Sequence, residues 1–295
     1  MQNTIKPSNR FLALDVFRGM TVCFMIIVNT PGSGATPFAP FEHAAWHGFT
    51  PTDLVFPSFL FAVGNAMSFS SEKFRAMTNS AFLTKILRRT LLIFLLGFLM
   101  YWFPFFGVRD GHLEMRPFSE TRVMGVLQRI ALCYFFASIF VRYFSYRTVV
   151  AISCVLLVGY WILLLSFPGT PNDPYAMLTN TGSYIDMHIF GQKHMYHGEG
   201  VAFEPEGLLS TIPAIVNVIV GYYAGMFIRK NGTNYETISK LLLVGGAYVL
   251  VALAWNAWFP INKKLWTSPF VLITTGIDLM IIGALVYVVE LREQT

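Results

Sequence analysis

Charge is what this chain has least of. Only 13% of its 295 residues are Asp, Glu, Lys or Arg, about half the share of a soluble domain. That deficit excludes an ordinary water-facing surface. The net charge of +5 is small and dispersed, so nothing points to a nucleic-acid partner. Cysteine is also scarce. Cys23, Cys133 and Cys154 each fall inside an apolar run, which argues against a disulfide framework or a cysteine zinc site. There is no internal repeat and no low-complexity tract. No cleavable signal peptide is visible either: the first apolar stretch is too long, carries Asp15 and Arg18, and lacks a small-residue cleavage site.

What the chain does have is apolar length. Hydrophobic residues make up 55% of it, in runs of about 20, which is enough to cross a bilayer as a helix. Eight such runs are expected, at 11–30, 53–71, 86–104, 123–142, 148–167, 208–228, 239–259 and 268–290. The fold class is therefore an all-α polytopic transmembrane bundle, one domain over 1–295. Lys6 and Arg10 precede the first run, and Lys73, Arg75, Lys85, Arg88 and Arg89 lie around the second connection. Arg142, Arg147, Arg229, Lys230 and Lys240 lie in later alternate connections, whereas the 30–52 loop has no Lys or Arg. The positive-inside rule then puts both termini in the cytoplasm, and His43 and the 168–207 loop outside. The 104–122 loop, with Arg109, Arg116 and Arg122, fits that pattern least well. A bacterial cytoplasmic (inner) membrane is the expected location.

Polar groups at membrane depth need a reason, because each costs several kcal/mol unless paired or wet (about 2–7 for a neutral group). Asp15 and Arg18 stand i, i+3 and share a helix face, as a structural ion pair would. His43 and His47 would face the same way on a helix, but no third ligand stands at metal-site spacing. Proton transfer suits a histidine here better, with Asp53 to fix its tautomer. Asn65, Gln128 and Arg129 are buried-run polar groups that need partners, and Arg122 could hold a sugar oxygen. Lys85, Arg88 and Arg89 satisfy the charge rule and could also seat a phosphorylated cytoplasmic donor. Asp173, Asp186, Glu199, Glu204 and Glu206 oppose Lys193 alone in the 168–207 loop. That balance suits a cationic partner such as a protonated amine. The competing class at this level is an amino-sugar or ion permease.

Six collinear motifs sharpen the reading. The opening Arg10-Phe-Leu-Ala-Leu-Asp-Val-Phe-Arg-Gly19 resembles that of a broad superfamily of membrane acyltransferases. The run from His43 through Asp53 to Pro57 resembles the heparan-α-glucosaminide N-acetyltransferase family and its bacterial relatives. Gly125-Val-Leu-Gln-Arg129, Gly182-Ser-Tyr-Ile-Asp186, Glu204-Pro-Glu-Gly207 and Asn262-Lys-Lys-Leu-Trp266 follow in order. The resemblance implies transfer of an acetyl group from cytoplasmic acetyl-CoA to the amine of a terminal glucosamine across the membrane. It implies His43 as the essential histidine and Asn29 as the preceding active-site asparagine, with Asp53 and Arg122 at the site. Glu206 and Asp186 join Arg122 as expected acceptor contacts. Lys85, Arg88, Arg89, Asn65, Gln128 and Arg129 are the expected coenzyme contacts. No role carries over to His47, because its position in the family is often Asn. The resemblance also implies about two further spans beyond Trp266 and its following helix. No metal is expected, and a homodimer is compatible with the sequence.

Overall fold

A computed structural model describes residues 11–30, 32, 38–109, 111–167 and 173–292. Lys6 and Arg10, used above for orientation, lie outside the described residues. The helices are α1 (Leu12–Asn29), α2 (Val55–Phe69), α3 (Ser71–Ala76), α4 (Asn79–Trp102) and α5 (Val126–Tyr143). They continue with α6 (Tyr146–Ser166), α7 (Thr181–Phe190), α8 (Leu208–Asn231), α9 (Tyr235–Trp255) and α10 (Ser268–Leu285). A π-helical turn, Val286–Leu291, extends α10. Polar residues start several of them. Thr78, Ser145, Asn180 and Asn234 each accept a first-turn backbone N–H with the side chain, which satisfies a donor the helix itself leaves orphaned.

Six helices are long and apolar enough to cross a membrane: α1, α5, α6, α8, α9 and α10 with its extension. The other two expected spans are also helical. α2 has 15 residues, short for a crossing. α4 has 24 but carries Lys85, Arg88 and Arg89 in its first half. It begins at Asn79 rather than 86, because a charged helical turn reads as loop by hydropathy alone. Three elements were not expected: α3, which lies between the second and third expected runs, α7 and a hairpin. α7 gives structure to part of the 168–207 loop, too short a helix to show as periodicity. A small hairpin, β1 (Phe106–Arg109) with β2 (His112–Met115), pairs Phe106 with Met115 and Val108 with Leu113.

The centre is the α2–α8 contact. A Cβ on Gly64 would lie 1.9 Å from the Val218 carbonyl oxygen, and one on Gly221 would lie 2.1 Å from that of Phe61. These two helices therefore meet backbone to backbone, which only small residues allow. Gly64→Ala is expected to destabilise the fold by about 1–3 kcal/mol, read as a lower unfolding temperature in detergent. Gly246→Ala is the control, since a Cβ there meets nothing within 4 Å.

The connections collect at two ends of the bundle. At one end the 38–54, 103–125, 173–207 and 256–267 segments interlock. Gly48 N–H donates to Ile261 O at 2.8 Å and Val123 N–H to His194 O at 3.1 Å. Trp46 Nε1 donates to Tyr175 O at 3.0 Å. At the other end Arg142 Nη2 donates to Met77 O at 3.0 Å, and Arg229 pairs with Glu72 at 2.8 Å.

Candidate active site

The interlocked end holds a compact charged cluster. Its anchor is Thr50-Pro-Thr-Asp53, a capping box on the 3-10 turn that leads into α2. The box ties the Asp53 carboxylate to the turn: Oδ2 accepts Thr50 N–H at 3.1 Å and Ala44 N–H at 3.3 Å. Oδ1 is left to face His43 Nδ1 at 2.7 Å. Asp53 is fully buried, while the His43 side chain is 46% exposed. With Nδ1–H donating to the carboxylate, the lone pair of the imidazole sits on Nε2. Burial alone would raise Asp53. The His43 hydrogen bond, the Lys263 charge and the Thr50 N–H outweigh it and hold the carboxyl below its ordinary value.

Lys263 completes the cluster. Its Nζ lies 3.0 Å from His43 Nδ1, 3.2 Å from Nε2 and 3.6 Å from Asp53 Oδ1. Burial pushes this ammonium below the usual lysine value, against the charges of Asp53 and Glu206. The neighbouring Lys264 is turned away and held by Glu199 at 2.8 Å and Ala45 O at 3.0 Å. The 42–50 segment is not helical, so His47 does not stand beside His43 as an i, i+4 pair. Its Nδ1 lies 3.4 Å from Asn262 Nδ2, and burial lowers its pKa despite Asp173. Among the described residues no group of three or more His, Cys, Asp or Glu gathers as a metal site.

A second cluster lies alongside. Arg122 Nε donates to Glu204 at 3.0 Å, and Nη2 donates to both Glu204 and Glu206. Its guanidinium packs between the Tyr101 and Tyr196 rings, 4.8 and 4.7 Å from their centroids. Burial works against the charge, but Glu204 and Glu206 outweigh it and raise Arg122 above its ordinary value. Arg129 is fully buried, donates to Pro205 O at 2.9 Å and lies 4.8 Å over Trp266. Two arginines thus grip the Glu204-Pro-Glu-Gly207 turn from two sides.

Asp186 sits where that turn enters α8. Its Oδ1 accepts Leu208 N–H at 3.0 Å, so it caps the helix start, where negative charge is favoured. Burial raises its carboxyl to about 6, against the Leu208 N–H and the Arg129 charge. The folded chain therefore holds the proton more tightly than the unfolded one. That contribution is complete below the ordinary 3.8 and is lost as pH rises through about 6. Asp186→Asn keeps an accepting oxygen without the charge. Its unfolding temperature is expected to fall less than that of the parent across this window, as thermal melts in detergent would record.

The remaining expected residues fall in two places. Asn29 ends α1, is exposed, and donates to Met25 O at 2.8 Å, so its amide is turned onto its own helix rather than toward His43. On the same helix Asp15 is partly buried and Arg18 exposed. Asn65 on α2 and Gln128 on α5 are fully buried, and neither side-chain amide has a hydrogen-bond partner among the described residues. They belong to a longer series. Arg129 Nε and Nη1, Tyr134 Oη, Ser138 Oγ and Arg142 Nε, all on α5, also lack partners there. The series runs the length of α5 from the interlocked end to a cleft at the other. Arg75, Phe74, Phe82, Ser138, Arg142 and Tyr222 line that cleft. Lys85, Arg88 and Arg89 lie exposed on α4 nearby, Lys85 over the Phe74 ring and Arg89 over Tyr134. Sequence reasoning treated Arg75, Arg142 and Lys263 as topology or motif residues only. For Lys263 the available signal was its place in the Asn262-Lys-Lys-Leu-Trp266 run.

Comparison with known proteins adds the family. The catalytic-region profile described as "Heparan-alpha-glucosaminide N-acetyltransferase, catalytic" matches residues 10–250. The mouse heparan-alpha-glucosaminide N-acetyltransferase is 27% identical over 97% of this chain and 50% of its own length. The human protein of that name is 27% identical over 96% of this chain and 49% of its own. The chain thus spans about half the length of these curated relatives. With the profile covering most of its residues, the chain belongs to the heparan-alpha-glucosaminide N-acetyltransferase catalytic family.

Proposed function

We propose that this protein is an acetyl-CoA-dependent N-acetyltransferase. It passes the acetyl group through the membrane to the amine of an amino sugar of the glucosamine type. The observation that carries the reading is the pairing of two features. A His43–Asp53 dyad stands at one end of the bundle, and a series of partnerless buried polar atoms on α5 runs from that end to the other. Acetyl-CoA cannot cross about 30 Å of hydrocarbon unaided. A pantetheine arm, with its two amides, would satisfy Gln128, Asn65 and the free Arg129 nitrogens, groups that are costly to leave unmade. Arg75 and Arg142 at the cleft, with Lys85, Arg88 and Arg89, would take the nucleotide phosphates at its cytoplasmic mouth.

At the far end His43 Nε2 acts as the general base toward the acceptor amine, or accepts the acetyl group itself before passing it on. Asp53 fixes the tautomer. Asn29, once turned from Met25, donates to the developing oxyanion, a contribution of about 3 kcal/mol. Arg122, Glu206 and Asp186 form the acceptor side. In this arrangement eight helices cross a bacterial inner membrane, both termini face the cytoplasm, and the dyad faces outward. The test is purified protein in liposomes with labelled acetyl-CoA and a panel of amino sugars. Acetylated sugar supports the reading. Uptake of unmodified sugar without acetyl-CoA would instead favour a permease.

A further inference from the structure

Lys263 Nζ is an amine already seated against the base of the site. It lies against the His43 ring, 3.0 Å from Nδ1 and 3.2 Å from Nε2, so a small shift brings it to the nitrogen whose lone pair Asp53 leaves free. A substrate amine would need the same position: within hydrogen-bond reach of Nε2 and of the buried carboxylate. Three features of this lysine bear on its reactivity. Its side chain is only 21% exposed, and burial favours the neutral, nucleophilic amine. Asp53 at 3.6 Å draws it inward. Its neighbour Lys264 is tied to Glu199 and Ala45, so the pair is split into one amine facing the dyad and one facing away.

We propose that Lys263 occupies the acceptor seat when no sugar is bound and is itself acetylated there by the acyl donor. This inference rests on the acetyltransferase reading above. In the first step His43 Nε2 takes one proton from the Lys263 ammonium. The freed lone pair attacks the thioester carbonyl of acetyl-CoA, the N–C bond forms and the C–S bond breaks. The coenzyme leaves as thiolate and picks up the second proton lost by the nitrogen. The products are an ε-acetyl-lysine, free thiol and one proton released from His43, with no oxidation or reduction. The modified side chain carries no charge, so the attraction to Asp53 is lost and the seat is blocked by an amide. A sugar amine prevents the reaction by displacing Lys263 before the donor arrives.

The experiment incubates the intact, purified chain with acetyl-CoA, with and without glucosamine, and maps acetylated lysines by peptide mass spectrometry. The expected result is acetylation concentrated at Lys263, several-fold above Lys264, suppressed by glucosamine and lost in His43→Ala. Equal labelling of the two lysines, or Lys263 labelling that persists in His43→Ala, would mean plain chemical acetylation and overturn the inference. An enzyme that acetylates glucosamine when sugar is present yet leaves Lys263 unlabelled in the arm without sugar overturns it too, while leaving the acetyltransferase reading intact. If neither sugar nor lysine is acetylated, the reading fails and the inference with it.

Discussion

His43→Ala is expected to lower acetyl transfer to glucosamine by about 10²–10⁴-fold, the usual contribution of a positioned acid–base group. The fold should survive. The ring is 46% exposed, and the capping-box bonds of Asp53 use its other oxygen, Oδ2. Circular dichroism should therefore match the parent and the unfolding temperature fall only slightly, separating a chemical loss from a structural one. A near-parental rate in the folded variant would remove His43 from the reaction. Asp53→Asn is expected to be costly in a different way. It loses the carboxylate that orients His43 and also unsettles the start of α2, since Thr50 and Ala44 both donate to it. Both rate and stability should fall. The sign of its pH dependence follows from the lowered carboxyl. Stability from Asp53 is present above the ordinary carboxylate value and lost as pH falls through the folded one. The asparagine variant should lack that acid limb.

The second large effect is expected at Arg122. Glu204 has no exposed side-chain surface and Glu206 only 14%, and Arg122 bridges them. Removing one partner of a buried pair leaves an uncompensated charge and costs about 3–5 kcal/mol. Arg122→Ala should therefore unfold at a much lower temperature and loosen the 195–207 segment, which limited proteolysis would reveal. Arg122→Met with Glu204→Gln removes both charges of the buried pair, and this double variant should be more stable than Arg122→Ala. Arg122→Lys keeps a charge but not the planar fork that meets both oxygens of Glu204, and it should lie between them.

The site was legible in the sequence where polarity stood out against an apolar background. Asp53, Asn65, Gln128 and Arg129 all interrupt hydrophobic runs, and all four are fully buried. What distance in the chain conceals was not legible. Lys263 is 220 residues from His43, and a lysine in a loop reads as a solvated charge until folding sets it against the ring. Glu204 stood among the acids of the 168–207 loop and in the Glu204-Pro-Glu-Gly207 motif, with no partner assigned to it. Only the fold wraps it around Arg122, 82 residues away. Asn29 shows the opposite case. The family motif marks it, but here its amide satisfies its own helix. For the helices, apolar length was enough to locate the long spans, while α7 and the hairpin depend on local turns that composition does not register.

Two of the helix seams differ in what they can yield. Where Gly64 and Gly221 let main chain touch main chain, few side chains can rearrange, so α2 and α8 behave as one fixed post. At the α4–α5 seam, Gly97 instead abuts the Leu127 Cβ and the end of the Gln128 amide, and the amide can swing aside by rotating its own bonds. A guest too wide for the resting bundle would thus be admitted by α4 leaning outward from an unmoving spine.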